Sequence, residues 1–268
     1  MKFDGNLVWK QASATMAANR ELVLALAGVF FFLPSFALIM LIKQPQVPPG
    51  GTPDQMMAVL EPFVATMAPW FLIGSVIQTV GQVTLLELFG RGGRSTVGQA
   101  LRSGLGVLLS YIAMQLLTGF VMTSVLFLAG GIASLISPVI GLALGIYLVC
   151  QAYARFITAG AVIVLERRKN PLTALVRAVA LTRGNGFRLG NFLFLLATAA
   201  FFILMVLTLV VGIAAALAIG EGRAADIVSG FFSSAATAFA IAYFAAIIVA
   251  IYRQLAGDAS EQSRLPFD

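Results

Sequence analysis

The chain has 268 residues, of which 60% are hydrophobic and only 10% are charged, and its formal net charge is +6. A soluble domain carries about 25% charged residues, so the composition argues against a soluble globular protein. The chain contains one cysteine, Cys150, and no histidine. An intramolecular disulfide is therefore excluded, and so is any catalytic or metal-binding histidine.

Long uncharged runs predict the fold. Five stretches of more than 20 residues contain no Asp, Glu, Lys or Arg, namely 22–42, 62–86, 103–154, 189–220 and 227–252. About 20 apolar helical residues cross a bilayer core of about 30 Å, so four runs fit one crossing each and 103–154 holds two. We predict an all-α polytopic membrane protein forming one domain over 1–268, with spans at about 22–42, 68–88, 105–129, 138–162, 191–217 and 228–252.

The sequence also predicts the structure of the segments that precede the first and second spans. The leader before Leu22 is longer than that of a signal peptide, so the first helix is predicted to remain uncleaved. Residues 43–55 are rich in Pro and Gly and predict an irregular loop. Residues 56–67 are apolar and are predicted to lie flat on the outer interface before Pro69 starts the second crossing.

The distribution of basic residues predicts the orientation. Lys and Arg number three in the leader, three in 87–102, six in 166–188 and two after Tyr252, which makes 14 on one side. The opposite side carries only Lys43 and Arg223. By the positive-inside rule, the side with 14 is cytoplasmic and so are both termini. Basic residues in short loops beside apolar runs indicate membrane orientation rather than nucleic-acid binding.

An internal repeat precedes each odd-numbered span. Residues 95–109 and 170–196 both read as a polar cap, a short amphipathic stretch with an aliphatic residue before Arg, and a hydrophobic span; 6–28 is a third copy. Asn170 can cap the helix in the second copy, Pro171 suits its first turn, and Gly184 can end it. We predict three transmembrane hairpins, each preceded by a cytoplasmic interfacial amphipathic helix. The alternative is that any loop before a helix looks amphipathic.

The segment 162–196 carries a resemblance to a known family. It has an acidic-basic loop, an Ala-Leu-basic helix and then Leu-Thr-basic-Gly-Asn, at Glu166, Arg167, Leu175, Arg177, Leu181, Thr182, Arg183, Gly184 and Asn185. This pattern resembles the YciC-like membrane proteins, which are related to the membrane domain ahead of some glycerophosphoryl diester phosphodiesterases. The resemblance implies a six-helix bacterial inner-membrane protein without a defined activity. A phosphodiesterase would need a large soluble barrel and histidines, which this chain lacks.

Polar residues inside the predicted spans suggest one candidate site. Arg155 lies within the fourth span, where an ionisable residue is costly and usually functional, although it could also snorkel to the interface. Amides and a tyrosine fall on neighbouring helix faces and could form a cytoplasm-facing pocket with it, or could merely bond one another. The predicted polar pocket consists of Arg155, Gln151, Gln78, Gln82, Tyr111, Gln115 and Asn191.

The basic residues of the short helices and loops are predicted to contact anionic phospholipid at the cytoplasmic face. They are Lys10, Arg102, Arg167, Arg168, Lys169, Arg177, Arg183 and Arg188. No catalytic constellation, metal cluster or cofactor motif is present in the sequence, so we expect a non-enzymatic inner-membrane module that interacts with lipid or organises an unidentified membrane protein partner. The alternative is a small transporter or lipid carrier that uses the pocket around Arg155. No acidic residue lies deep in a predicted span, which disfavours an ion-coupled transporter.

Overall fold

The computed structural model describes residues 2–41, 52–92, 96–135, 137–220 and 222–262, and within these ranges the chain is helical and contains no strand. The helices are α1 Gly5–Ala18, α2 Arg20–Ala27, α3 Leu33–Leu41, α4 Pro53–Gly90, α5 Val97–Leu105, α6 Leu108–Val125, α7 Gly131–Ser134, α8 Pro138–Tyr153, α9 Ala159–Leu165, α10 Pro171–Leu181, α11 Gly186–Ile219 and α12 Arg223–Gln262. Two π-helical turns, Gly28–Phe32 and Leu126–Gly130, join α2 to α3 and α6 to α7. Residues 42–51, which include most of the first predicted loop, and the tail beyond 262 lie outside the described residues.

Within the described residues, five helical segments are long and apolar enough to cross a membrane. They are Arg20–Leu41, Asp54–Gly90, Leu108–Ser134, Gly186–Ile219 and Arg223–Gly257. They overlap the first, second, third, fifth and sixth predicted spans. The predictions of an all-helical chain and of several membrane-compatible helices are therefore confirmed in the described part of the chain.

The second span differs from its prediction. Residues 56–67 do not form a separate interfacial segment, because α4 runs without interruption from Pro53 to Gly90 through both Pro62 and Pro69. Its 38 residues extend over about 57 Å at 1.5 Å per residue, well beyond a bilayer core of about 30 Å. A Thr52–Gln55 capping box begins the helix, so the irregular loop predicted as far as residue 55 ends earlier.

The fourth span also differs, because the helix predicted over 138–162 is interrupted at residues 154–158. The 16-residue α8 ends at Tyr153, and tight turns follow in which Arg155 N–H donates to Ala152 O at 3.1 Å and Phe156 N–H to Tyr153 O at 2.8 Å. Such i→i−3 bonds replace the α-helical pattern. Helix α9 then runs through the protein interior, and residues 159–164 are all fully buried. The break explains why this segment is not among the five long apolar helices.

Three short helices precede α2, α6 and α11, as the internal repeat predicts. Each begins at a side-chain cap: Asp4 before α1, Thr96 before α5 and Asn170 before α10. A cap of this kind satisfies backbone N–H groups that have no partner within the helix. The short helices contact α12, α4 and α9, respectively.

The core lies where α4, α9 and α12 converge. These three helices contact one another in every pairwise combination, and they contribute a continuous set of buried side chains around Leu85, Ile163 and Ile251. The N-terminal part of α4 and most of α11 are exposed to the surroundings instead. We call the end of the molecule at Glu87, Glu166 and Arg253 the charged end, because it carries the ion pairs described below.

Candidate functional site

A large cleft lies beside the α4–α9–α12 core. Its volume is about 1130 Å³, and its walls come from α4, α6, the α8–α9 segment, α11 and α12, together with Trp9 of α1. Aliphatic, aromatic and alanine side chains form nearly all of this wall, with Leu86, Leu193 and Ile248 as examples. The cleft is thus chemically suited to hydrocarbon.

The cleft opens to the outer surface of the helix bundle. Ile203 of α11 and Phe239 of α12 both line it and are 67% and 56% exposed, respectively. Both residues belong to helices that are apolar enough to span a membrane. A hydrophobic molecule could therefore enter the cleft from the side of the bundle, past exposed residues of α11 and α12.

One polar network interrupts the apolar wall of the cleft. Gln82 of α4 accepts hydrogen bonds at Oε1 from Gln115 Nε2 at 3.0 Å and from Tyr111 Oη at 3.4 Å, both on α6. Thr79 Oγ1, which donates its proton to Ser75 O at 2.7 Å, lies 3.3 Å from Gln115 Oε1. Gln82, Tyr111 and Gln115 all line the cleft, so three of the seven residues of the predicted polar pocket come together here.

A second polar group joins α8 to α11. Asn191 Oδ1 accepts hydrogen bonds from Gln151 Nε2 at 2.7 Å and from Tyr147 Oη at 3.1 Å. Gln151 packs so closely over Gly190 that a Cβ there would overlap its amide. Neither Gln151 nor Asn191 belongs to the residues that line the cleft. These amides hold two helices together, as interhelical polar bonds commonly do.

The two remaining residues of the predicted pocket lie elsewhere. Arg155 sits in the break between α8 and α9, with its guanidinium over the start of α11, so that a Cβ at Gly186 would be 2.6 Å from Arg155 Nε. Gln78 donates to Ser35 Oγ on α3 at 3.3 Å. The structure therefore divides the seven residues among separate contacts instead of gathering them into one pocket.

A buried carboxylate at the end of the second predicted span anchors the charged end. Glu87 of α4 is 1% exposed and forms ion pairs with Arg91 Nε at 2.8 Å and with Arg167 Nη2 at 2.7 Å. Ser103 of α5 donates to the same carboxylate oxygen at 2.9 Å, and Arg167 Nη1 donates to Ser103 O at 2.8 Å. This cluster connects α4, α5 and the segment after α9.

Further polar contacts continue around the charged end. Glu166, directly after α9, accepts a hydrogen bond from Tyr252 Oη of α12 at 3.2 Å. The neighbouring Arg253 donates to the carbonyl oxygens of Phe89 and Gly90 at the end of α4, at 2.5 and 3.2 Å. The contacts thus run from α4 to α9, from α9 to α12, and from α12 back to α4. We call this set the polar ring; its members are Glu87, Glu166, Arg167, Tyr252 and Arg253.

Seven of the eight residues predicted to contact anionic lipid are exposed. The half-buried exception is Arg177, which pairs with Glu166 at 3.4 Å, and Arg168 pairs with the same carboxylate at 2.9 Å. Together with Arg167, these two arginines have carboxylate partners. The other five basic residues make no ion pair within the described parts of the chain; they are Lys10, Arg102, Lys169, Arg183 and Arg188.

Exposed apolar side chains lie beside these basic residues. On α10 and at the start of α11, Leu172, Val176 and Phe187 are 60%, 71% and 67% exposed. The inward face of α10 is formed by Ala174, Ala178 and Leu181, which are buried. An apolar outward face next to cations is typical of a helix at a membrane interface.

No protein-family profile, curated protein or solved structure matches this chain.

Proposed function

We propose that this protein is a non-enzymatic integral membrane protein of the bacterial inner membrane that holds a membrane lipid in its cleft. The observation that carries the proposal is the cleft itself, which is large, almost wholly apolar and open to the outer surface of the helix bundle. An apolar cleft beside lipid-facing helices is accessible to acyl chains without passage through water.

Exposed basic residues support a preference for anionic lipid. Lys10, Arg102, Lys169, Arg183 and Arg188 are exposed and lack ion-pair partners in the described segments. Each basic group near an anionic membrane surface contributes about 1 kcal/mol of attraction. Cytoplasmic phospholipid headgroups are the partners that such a surface would attract.

The membrane arrangement belongs to the same proposal. The chain crosses the membrane six times, in three hairpins that are each preceded by an interfacial helix, and both termini are cytoplasmic. The α8–α9 segment supplies the crossing that is not among the five long helices. The resemblance of 162–196 to the YciC-like family supports this arrangement, as do the three capped short helices.

Cysteine labelling tests the number of crossings. In a Cys150→Ala background, Gly98→Cys places an exposed thiol before α6 in the chain, and Lys169→Cys places one after α9. In the proposed topology both thiols are cytoplasmic, and Asp54→Cys places a third thiol on the opposite side of the membrane. We expect a membrane-impermeant maleimide added to intact spheroplasts to label only Asp54→Cys, and to label all three after lysis. Labelling of Lys169→Cys in intact spheroplasts, with Gly98→Cys protected, would show that α8–α9 does not cross.

Lipid retention tests the function. Native mass spectrometry of the purified protein should show bound phospholipid, and Ala200→Phe, which fills part of the cleft wall on α11, should reduce it several-fold. Ala214→Phe adds the same ring to an exposed part of the same helix and should leave retention unchanged. A co-purifying protein partner, with no lipid retained by the parent chain, would contradict lipid binding and favour a protein-organising module.

The break between α8 and α9 favours a second candidate, a lipid carrier. Interrupted membrane helices are common in transporters, where they line the substrate path, and Phe156 and Ile157 of the break contribute to the cleft wall. Liposomes containing the purified protein and fluorescent phospholipid would distinguish the two. Transfer between leaflets faster than in protein-free liposomes supports a carrier, whereas retention of lipid without transfer supports a static lipid-binding module.

A further inference from the structure

The amide of Gln82 carries N–H donors in the cleft that the described parts of the protein do not use. Gln82 Oε1 is occupied by the Tyr111 and Gln115 donors. Gln82 Nε2, in contrast, donates to no group among the described residues, and it is not one of the fully buried atoms left without a partner. Since Gln82 lines the cleft, its two N–H groups are available to a molecule bound there.

The hydrogen bonds around Gln82 show which end of its amide is available. Tyr111 Oη and Gln115 Nε2 both donate to Gln82 Oε1, so that Nε2 is the end without a partner among the described residues. A hydrogen-bond donor at the wall of a largely apolar cleft favours an acceptor group on the ligand.

The position of Gln82 relative to the polar ring indicates where this acceptor lies in a lipid. Gln82 precedes Glu87 by five residues on α4, which corresponds to about 7.5 Å along the helix axis. The headgroup region on each side of a bilayer is about 5–8 Å thick. When the polar ring lies at headgroup level, Gln82 therefore lies near the boundary between headgroups and acyl chains, where the ester carbonyls of a glycerophospholipid are found.

We infer that the cleft selects ester-linked glycerophospholipid, with an acyl ester carbonyl accepting a hydrogen bond from Gln82 Nε2 and the acyl chain lying along α11 and α12. This inference rests on the proposed lipid-binding function and adds the chemical group that is recognised. It does not depend on the charge of the headgroup, which the proposed function assigns to the exposed basic residues.

A diether phospholipid has no ester carbonyl oxygens but otherwise closely resembles the diester phospholipid of the same headgroup and chain length. In an equimolar competition measured by native mass spectrometry, we expect the unmodified protein to retain the diester form about three- to tenfold more than the diether form, which is the range for one hydrogen bond. Gln82→Leu should abolish this preference while still retaining lipid. Gln78→Leu, one turn away and bonded to Ser35 outside the cleft, should preserve it.

Three results would overturn the inference. Equal retention of diester and diether lipid by the unmodified protein would contradict the carbonyl contact but would remain consistent with the proposed lipid-binding function. Displacement of both phospholipids by a quinone, whose carbonyls offer the same acceptor, would assign the site to a different lipid. Retention of neither phospholipid, with Ala200→Phe indistinguishable from the parent chain, would instead contradict the proposed function itself. Because the first comparison uses the unmodified protein, it does not depend on the folding of a variant.

Discussion

The ion pair between Glu87 and Arg167 provides the sharpest test of the polar ring. Glu87 is 1% exposed and Arg167 is 37% exposed, and their charged atoms are 2.7 Å apart. Removing a partner from a fully buried ion pair costs about 3–5 kcal/mol, but here Arg91 still contacts the same carboxylate at 2.8 Å. We therefore expect Arg167→Gln to lower the free energy of unfolding by about 1.5–3 kcal/mol, the range for a hydrogen bond to a charged group.

A double-mutant cycle measures this pair directly. Arg167→Gln, Glu87→Gln and the combined variant would be unfolded in mixed micelles by titration with sodium dodecyl sulfate, with tryptophan fluorescence as the readout. We expect a coupling energy of at least about 1 kcal/mol, as for other residues that share one network.

The adjacent Arg168 is the matched control, because it pairs with the more exposed Glu166, the two side chains being 45% and 19% exposed. A surface pair contributes about 0–1 kcal/mol, so Arg168→Gln should have a small effect. Equal losses for Arg167→Gln and Arg168→Gln, or a coupling near zero, would refute the stabilising role of the buried pair.

Two further variants test local packing and capping. Gly190→Leu places a side chain into the space of the Gln151 amide and should lower the free energy of unfolding by about 1–3 kcal/mol through overpacking. The control is Gly119→Leu, because a Cβ at Gly119 meets nothing within 4 Å. It should lower the free energy of unfolding by less in the same detergent titration. Thr96→Ala removes the acceptor of the Gln99 N–H hydrogen bond at 3.3 Å and should lower the free energy of unfolding by about 1 kcal/mol. Amide hydrogen exchange should accelerate at the start of α5 and not in α10. Uniform acceleration in both helices would argue against a local cap.

Much of the helical framework could be predicted from sequence, because its signals are local. Uncharged runs longer than 20 residues need no distant partner to be recognised as candidate spans. The same holds for helix caps: Asn170 accepts hydrogen bonds from Leu172 and Thr173 N–H, and Pro171 occupies the first turn, as the residue types indicated. Gly184 adopts φ +82° just after α10, which accords with its predicted place at the helix end.

The candidate site was less accessible to sequence reasoning, because its contacts are not local. Arg167 lies 80 residues from Glu87 along the chain, and nothing in the spacing of charges selects that pair. The break at 154–158 contains neither Gly nor Pro, so the usual signals for a helix interruption are missing. The apolar residues of the cleft wall also have the same composition as residues that face lipid, and only the packing of α6, α11 and α12 separates them.

The polar ring and the cleft are coupled by the three helices they share. On α4 the cleft ends at Leu86 and the ring begins at Glu87; on α12 it ends at Ile248 and the ring begins at Tyr252. On α9 it ends at Gly160, with Glu166 six residues further on. These intervals span at most about 9 Å of helix. Because packed helices move as rigid elements, separating their ends at the ring should widen the cleft beneath it. We therefore expect Glu87→Gln to weaken the retention of lipid although Glu87 does not line the cleft, whereas the control Arg168→Gln should not.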